Sequence, residues 1–133
     1  MFIDASALVA ILCQEQEYER VADCLRQAPH RLTSALAQFE AVLAVARIRS
    51  LPPETAERLV NSFRETVGIG MVSLGLAEIR IAVAAHARYG KGRHPAHLNL
   101  GDCFAYACAQ VHGVPLLYVG DDFPQTDIRS ALA

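Results

Sequence analysis

Short apolar runs recur along this chain, and each hands over to a longer stretch whose apolar residues return every three or four positions. Phe2-Ile3 leads into a periodic pattern that continues through Leu12. Arg31-Leu32-Thr33 precedes Ser34, which can cap a helix running through Leu36, Phe39, Val42 and Leu43 to about Ser50. Ile69, Met71 and Val72 precede a helix predicted from about Gly75 to Tyr89, and Asn99 can cap a helix over Leu100 to Val111 that ends before the strand Pro115 to Val119. Two further helices are predicted, an amphipathic one over Glu15 to Gln27 and one that starts at Pro53 and lasts until Gly68. Strands alternating with helices specify an α/β fold with a short, mostly parallel central sheet flanked by helices. With 133 residues, 53% of them hydrophobic, the chain suffices for one buried core and is expected to form a single domain over residues 1–133.

No apolar run approaches the roughly 20 residues needed to cross a bilayer, and Asp4 interrupts the N-terminal stretch where a secretory signal would continue. The expectation is a soluble, cytoplasmic protein with no membrane association. Cys13, Cys24, Cys103 and Cys108 form no CxxC pair and read as buried thiols of a reducing compartment. A net charge of −2 argues against a protein that wraps nucleic acid electrostatically. The location of the 14 acidic residues therefore matters more than their number.

In a parallel sheet with right-handed crossovers every strand ends on one rim, where ligands bind. Asp4 ends the first strand, Glu40 lies within the first two turns of the helix leaving the second, and Asp121 and Asp122 follow the last. Asp102 opens a helix whose far end feeds the last strand through a tight turn, so its near end lies on the same rim. The helix at 75–89 is expected to descend from that rim and the loop at 90–98 to climb back. Each acid alone has an ordinary role as a turn, dipole-complementing or solvated residue, but Asp4 ends a buried strand, where an unpaired charge is costly. Two carboxylates 4 Å apart repel by roughly 4 kcal/mol at an effective dielectric of 20, so several in one cleft call for a cation. All-oxygen ligation points to Mg²⁺, with Mn²⁺ as a substitute.

These features resemble the PIN-domain ribonucleases, and within them the VapC toxins of bacterial type II toxin–antitoxin pairs. The resemblance spans essentially the whole chain and is carried by the opening MFIDASALVAIL, by LAQFEAVLAVAR around Glu40, by YGKGRHPAHLNLGDCFAYACA around Asp102, and by PLLYVGDDFPQTDI. It implies a PIN-like fold, a Mg²⁺- or Mn²⁺-dependent endonuclease acting on RNA, a homodimer, and inhibition by a VapB-like antitoxin. Asp4, Glu40 and Asp102 match the family's acids, and Ser6 a hydroxyl position beside the first. The fourth acid is displaced: Gly120 stands where many members carry it, leaving Asp121, Asp122 or Asp127 to substitute.

On this reading Asp4, Glu40, Asp102 and Asp121 are catalytic and, with Asp122, hold one or two metal ions, while Ser6 assists by hydrogen bonding to the substrate. Between Ile79 and Gly101 there is no acid, whereas Arg80, Arg88, Lys91 and Arg93 are basic, so Lys91 and Arg93 are candidates to clamp RNA phosphates. His94 and His97 lack a second ligand pair for zinc, and GKGR lacks P-loop spacing. Tyr106, in an apolar helix, reads as core. The helices at 15–27 and 53–67 could present a groove to an antitoxin. Competing readings are a receiver- or phosphatase-like Mg²⁺ domain and a catalytically weak PIN-like domain that only binds RNA or an antitoxin.

Overall fold

The computed structural model describes residues 1–133, with strands β1 (Phe2–Ile3), β2 (Leu32–Ser34), β3 (Gly70–Val72) and β4 (Leu116–Leu117). Between them lie helices α1 (Ala5–Leu12), α2 (Tyr18–Gln27), α3 (Ala35–Arg49), α4 (Pro53–Val67), α5 (Leu76–Tyr89) and α6 (Leu100–His112), and a 3₁₀ turn follows at Phe123–Gln125. The strands form one sheet in the order β3-β2-β1-β4, every pair parallel.

Successive residues of a strand point to opposite faces, and the two central strands use this to divide the core. Phe2 and Leu116 pack with α5 and α6 residues such as Ala85, Tyr89, Tyr106 and Cys108. Ile3 and Leu117 pack with Leu8, Val21, Val45 and Val60 from α1 to α4. All four strand residues are fully buried, which is why these strands read as unbroken apolar pairs rather than as alternating ones.

Local signals place the helix ends. The Ser34 side chain accepts the Ala37 N–H at 3.1 Å and starts α3, while Pro53 supplies the pre-set φ of the first position of α4. Asn99 and Asp102 cap α6 reciprocally, Asn99 Oδ1 accepting from the Asp102 N–H at 2.9 Å and Asp102 Oδ2 from the Asn99 N–H at 3.1 Å. Gly113, at φ +63°, closes α6 and turns the chain tightly into β4.

The structure differs from the sequence expectation in four places. The strand predicted over Pro115 to Val119 is only Leu116–Leu117. Pro115 has no N–H to donate, and the Val119 N–H goes to the Ser6 hydroxyl at 3.0 Å instead of a neighbouring strand. The chain's own C-terminal segment covers the outer edge of β4, through Leu116 N–H to Arg129 C=O and Ala131 N–H to Leu116 C=O, both 2.9 Å. Left-handed backbone at Gln14 and Glu17 separates α1 from α2, which therefore starts at Tyr18 and not Glu15.

The loop at 90–98 does not climb. Gly90 and Leu98 pair as a bridge, with Leu98 N–H on Tyr89 C=O at 3.1 Å and Lys91 N–H on Leu98 C=O at 3.0 Å, so the loop returns to its own start. Because Leu98 lies just before Asn99 and Asp102, α5 ends close to the rim rather than at its opposite end. The four cysteines are free, but only Cys103 and Cys108 are buried; Cys13 and Cys24 are half-buried. No helix is long and apolar enough to cross a membrane.

Candidate active site

Asp4 leaves the central strand β1 and caps α1 in the same step. It is 5% exposed. Its Oδ2 accepts the Ser6 N–H at 3.1 Å and the Ser6 hydroxyl at 2.6 Å. Burial pushes its pKa above the usual carboxylate value, and the two Ser6 hydrogen bonds oppose that shift.

Glu40 comes from the second turn of α3, on the neighbouring strand's exit. Burial first, then the charges of Asp4 and Asp102, push its pKa up to about 7. Asp102, in the first turn of α6, is pushed up to about 6, mainly by burial; the Asn99 N–H opposes this, and the charges of Asp4 and Asp122 add to it. Three elements remote in sequence thus place three carboxylates within each other's field, with Asp122 beside the third. Asp4, Glu40 and Asp102, but not Asp122, line a cleft of about 390 Å³ that Ser6, Arg47 and Glu15 also line.

Glu40 packs closely on α6. A Cβ added to Gly101 would overlap the Glu40 carboxyl group, so its bare backbone makes the space that group occupies. A glycine so near a helix start costs helix propensity, and here its missing side chain has a use.

Not every sequence-predicted residue joins the cleft. Asp121 is exposed in the turn after β4 and does not line it; its carbonyl accepts from Gln125 Nε2 at 3.4 Å. Asp122 is exposed as well and does not line the cleft, but it is the member of that pair whose charge acts on Asp102. Asp127 is engaged elsewhere, accepting from the Tyr106 hydroxyl at 2.6 Å and pairing with Arg88 at 3.3 Å. The Tyr106 hydrogen bond leads the effects that hold the Asp127 pKa low.

Ser6 also departs from its expected role. Its single hydroxyl proton goes to Asp4 and its oxygen accepts from Val119 N–H, so it has no proton to offer a substrate and instead fixes the Asp4 carboxylate. Lys91 lines a separate, largely apolar groove of about 470 Å³ with Val83, Leu100 and Phe104. Arg93 is exposed on the closed loop and does not line the acidic cleft. The sequence reading missed Arg47 and Glu15. The spacing of Glu40 and Arg47, two helical turns apart on one face of α3, was the available signal for Arg47.

Asp4, Glu40 and Asp102, with the exposed Asp122 acting on Asp102, offer only hard oxygen donors, and the burial and repulsion of the first three are costs that a divalent cation removes. By donor chemistry they fit such an ion. As the side chains stand, no three His, Cys, Asp or Glu groups form a ready-made ligand shell.

The family model described as PIN domain matches residues 1–129. The chain is 43% identical over 139 residues to a VapC ribonuclease of Rhizobium meliloti, covering 96% of this chain and 98% of that one. It is 40% identical over 132 residues to Ribonuclease VapC42 of Mycobacterium tuberculosis, covering 98% of each. Among solved structures, Mycobacterium tuberculosis VapC20, described as a Sarcin-Ricin loop cleaving toxin, superposes with a TM-score of 0.75 over 96% of this chain and 95% of that one; at 15% identity this likeness concerns the fold.

Proposed function

The chain belongs to the PIN-domain family, and from that premise we propose that it is a Mg²⁺-dependent endoribonuclease, the toxin of a type II toxin–antitoxin pair. The observation that carries this reading is the gathering of Asp4, Glu40 and Asp102, from the ends of separate elements, into one cleft where the charge of Asp4 acts on both of the others and that of Asp102 acts on Glu40. Full-length similarity to proteins named VapC ribonuclease supports RNA as the substrate and a VapB-like antitoxin as the partner, and favours a nuclease over a receiver- or phosphatase-like domain.

Asp4, Glu40, Asp102 and Asp122 would hold the metal, with Mn²⁺ as a substitute. When bound, the ion supplies charge relief on the scissile phosphate and lowers the pKa of a water for attack. The chain's own part is positional. Ser6 holds the Asp4 carboxylate by two hydrogen bonds, the cap with Asn99 occupies Oδ2 of Asp102 and orients the group, and Gly101 admits Glu40 against α6. The fold works as one domain in the cytoplasm. Leu76, Val83 and Leu100, each more than 60% exposed, give the chain apolar surface that a homodimer or an antitoxin would cover.

The test is cleavage of an RNA panel by the full chain with Mg²⁺, with Mn²⁺ and with EDTA, beside Asp4→Asn and Asp102→Asn. Cleavage by the wild type that needs metal and falls roughly 100-fold or more in either variant supports the reading. Cleavage that persists in EDTA, or in both variants, refutes it.

A further inference from the structure

Arg47 is the one cation among the residues lining the acidic cleft. It stands two helical turns, roughly 10 Å, beyond Glu40 on the same face of α3, and Ala44 and Ile48 continue that face along the cleft. It is exposed and makes no salt bridge, although Glu15 lines the same cleft. A basic residue in the last turn of a helix complements the helix dipole, but Arg49 occupies the same turn and serves the same purpose. The two differ in where they sit: Arg49 lines a small separate pocket with Ile11 and Gln14.

An unpaired guanidinium at the far end of a cleft whose near end is acidic matches a polyanion that spans both. Its planar fork binds phosphate oxygens in pairs. We infer that Arg47 binds a backbone phosphate of the RNA strand a nucleotide or two from the bond to be cut, and so sets the register of the strand over Asp4, Glu40 and Asp102. This rests on the ribonuclease reading above and adds a subsite to it.

Steady-state cleavage of a single-stranded RNA oligonucleotide by the full chain, with Mg²⁺ or Mn²⁺ and over a range of salt, tests it. Arg47→Ala raises KM roughly tenfold, the scale of one lost charge-assisted contact, with kcat little changed. Its dependence of log KM on log salt is shallower by about 0.7, the value for one phosphate contact on a single strand. Arg47→Lys recovers the salt slope and part of the affinity, and Arg49→Ala behaves as wild type. Arg47→Ala indistinguishable from Arg49→Ala in KM and salt slope overturns the inference while leaving the nuclease reading intact. A wild-type protein that cuts no RNA overturns that reading and the inference with it.

Discussion

The carboxyl group of Glu40 occupies the space that a side chain at Gly101 would fill. The contact joins α3 to the first turn of α6, the turn that carries Asp102. Gly101→Ala separates stability from function. On helix propensity alone the change is favourable by up to about 1 kcal/mol, but the new methyl displaces Glu40 from the cleft. The expected outcome is a melting temperature within a few degrees of wild type and RNA cleavage reduced roughly 10- to 100-fold, the range seen when groups that orient a metal site are disturbed. Parallel thermal melts and cleavage rates check both halves.

The legibility of this site followed the legibility of its elements. Asp4, Glu40 and Asp102 each sit a fixed, short distance from an end that the sequence marks: the close of an apolar pair, the Ser34 cap and the Asn99 cap. Parallel pairing then carries those ends to one rim. Asp121 and Asp122 could not be separated in this way, because the choice depends on the left-handed backbone of Gly120 (φ +119°) and the 3₁₀ turn after it, which no periodicity encodes. The path of the loop at 90–98 was misread because loop length bounds reach but does not impose it; hydrogen bonds between Gly90 and Leu98 neighbours close it on itself. Arg47 was overlooked because an arginine on the outer face of a long helix looks like solvated surface until the opposing wall is known.

Stability without metal should fall as pH rises through the carboxylates' range. The Glu40 pKa goes from 4.5 in the unfolded chain to about 7 when folded, so the folded state holds this proton more tightly. Its contribution is fully present below pH 4.5 and is lost as pH rises through 7. Glu40→Gln removes that loss. In EDTA at pH 8 the variant should melt higher than wild type, by on the order of a few degrees given the partial exposure of the group. The gap should close towards pH 4.5, and millimolar Mg²⁺ should reverse it by stabilising only the wild type.

Ser6 is a positioning residue with two attachments, and both are lost in Ser6→Ala. The Asp4 carboxylate then keeps only the Ser6 backbone N–H, and the Val119 N–H loses its partner. We expect a cost of about 1–2 kcal/mol in urea unfolding and a roughly 10- to 100-fold higher Mn²⁺ concentration needed for the same rise in melting temperature. Ser6→Thr keeps the hydroxyl and should restore the metal response. That rescue distinguishes orientation of Asp4 from general packing.

The displaced fourth acid gives the sharpest contrast among single charges. Asp121 and Asp122 are both exposed but only Asp122 acts on Asp102, and Asp127 is bound to Tyr106 and Arg88 away from the cleft. Asp122→Asn should therefore lower metal-dependent RNA cleavage roughly tenfold, less than the loss at Asp4 or Asp102 because this carboxylate is exposed and acts on the cleft only through Asp102. Asp121→Asn should stay within about twofold of wild type, since its charge is not among those acting on Glu40 or Asp102. Asp127→Asn should also cleave normally but release Tyr106, whose phenol is held up at about 12 by burial first and by this hydrogen bond second. A spectrophotometric titration of the tyrosines should show one group moving to lower pH in that variant alone. Cleavage lost in Asp121→Asn and kept in Asp122→Asn would reassign the fourth position.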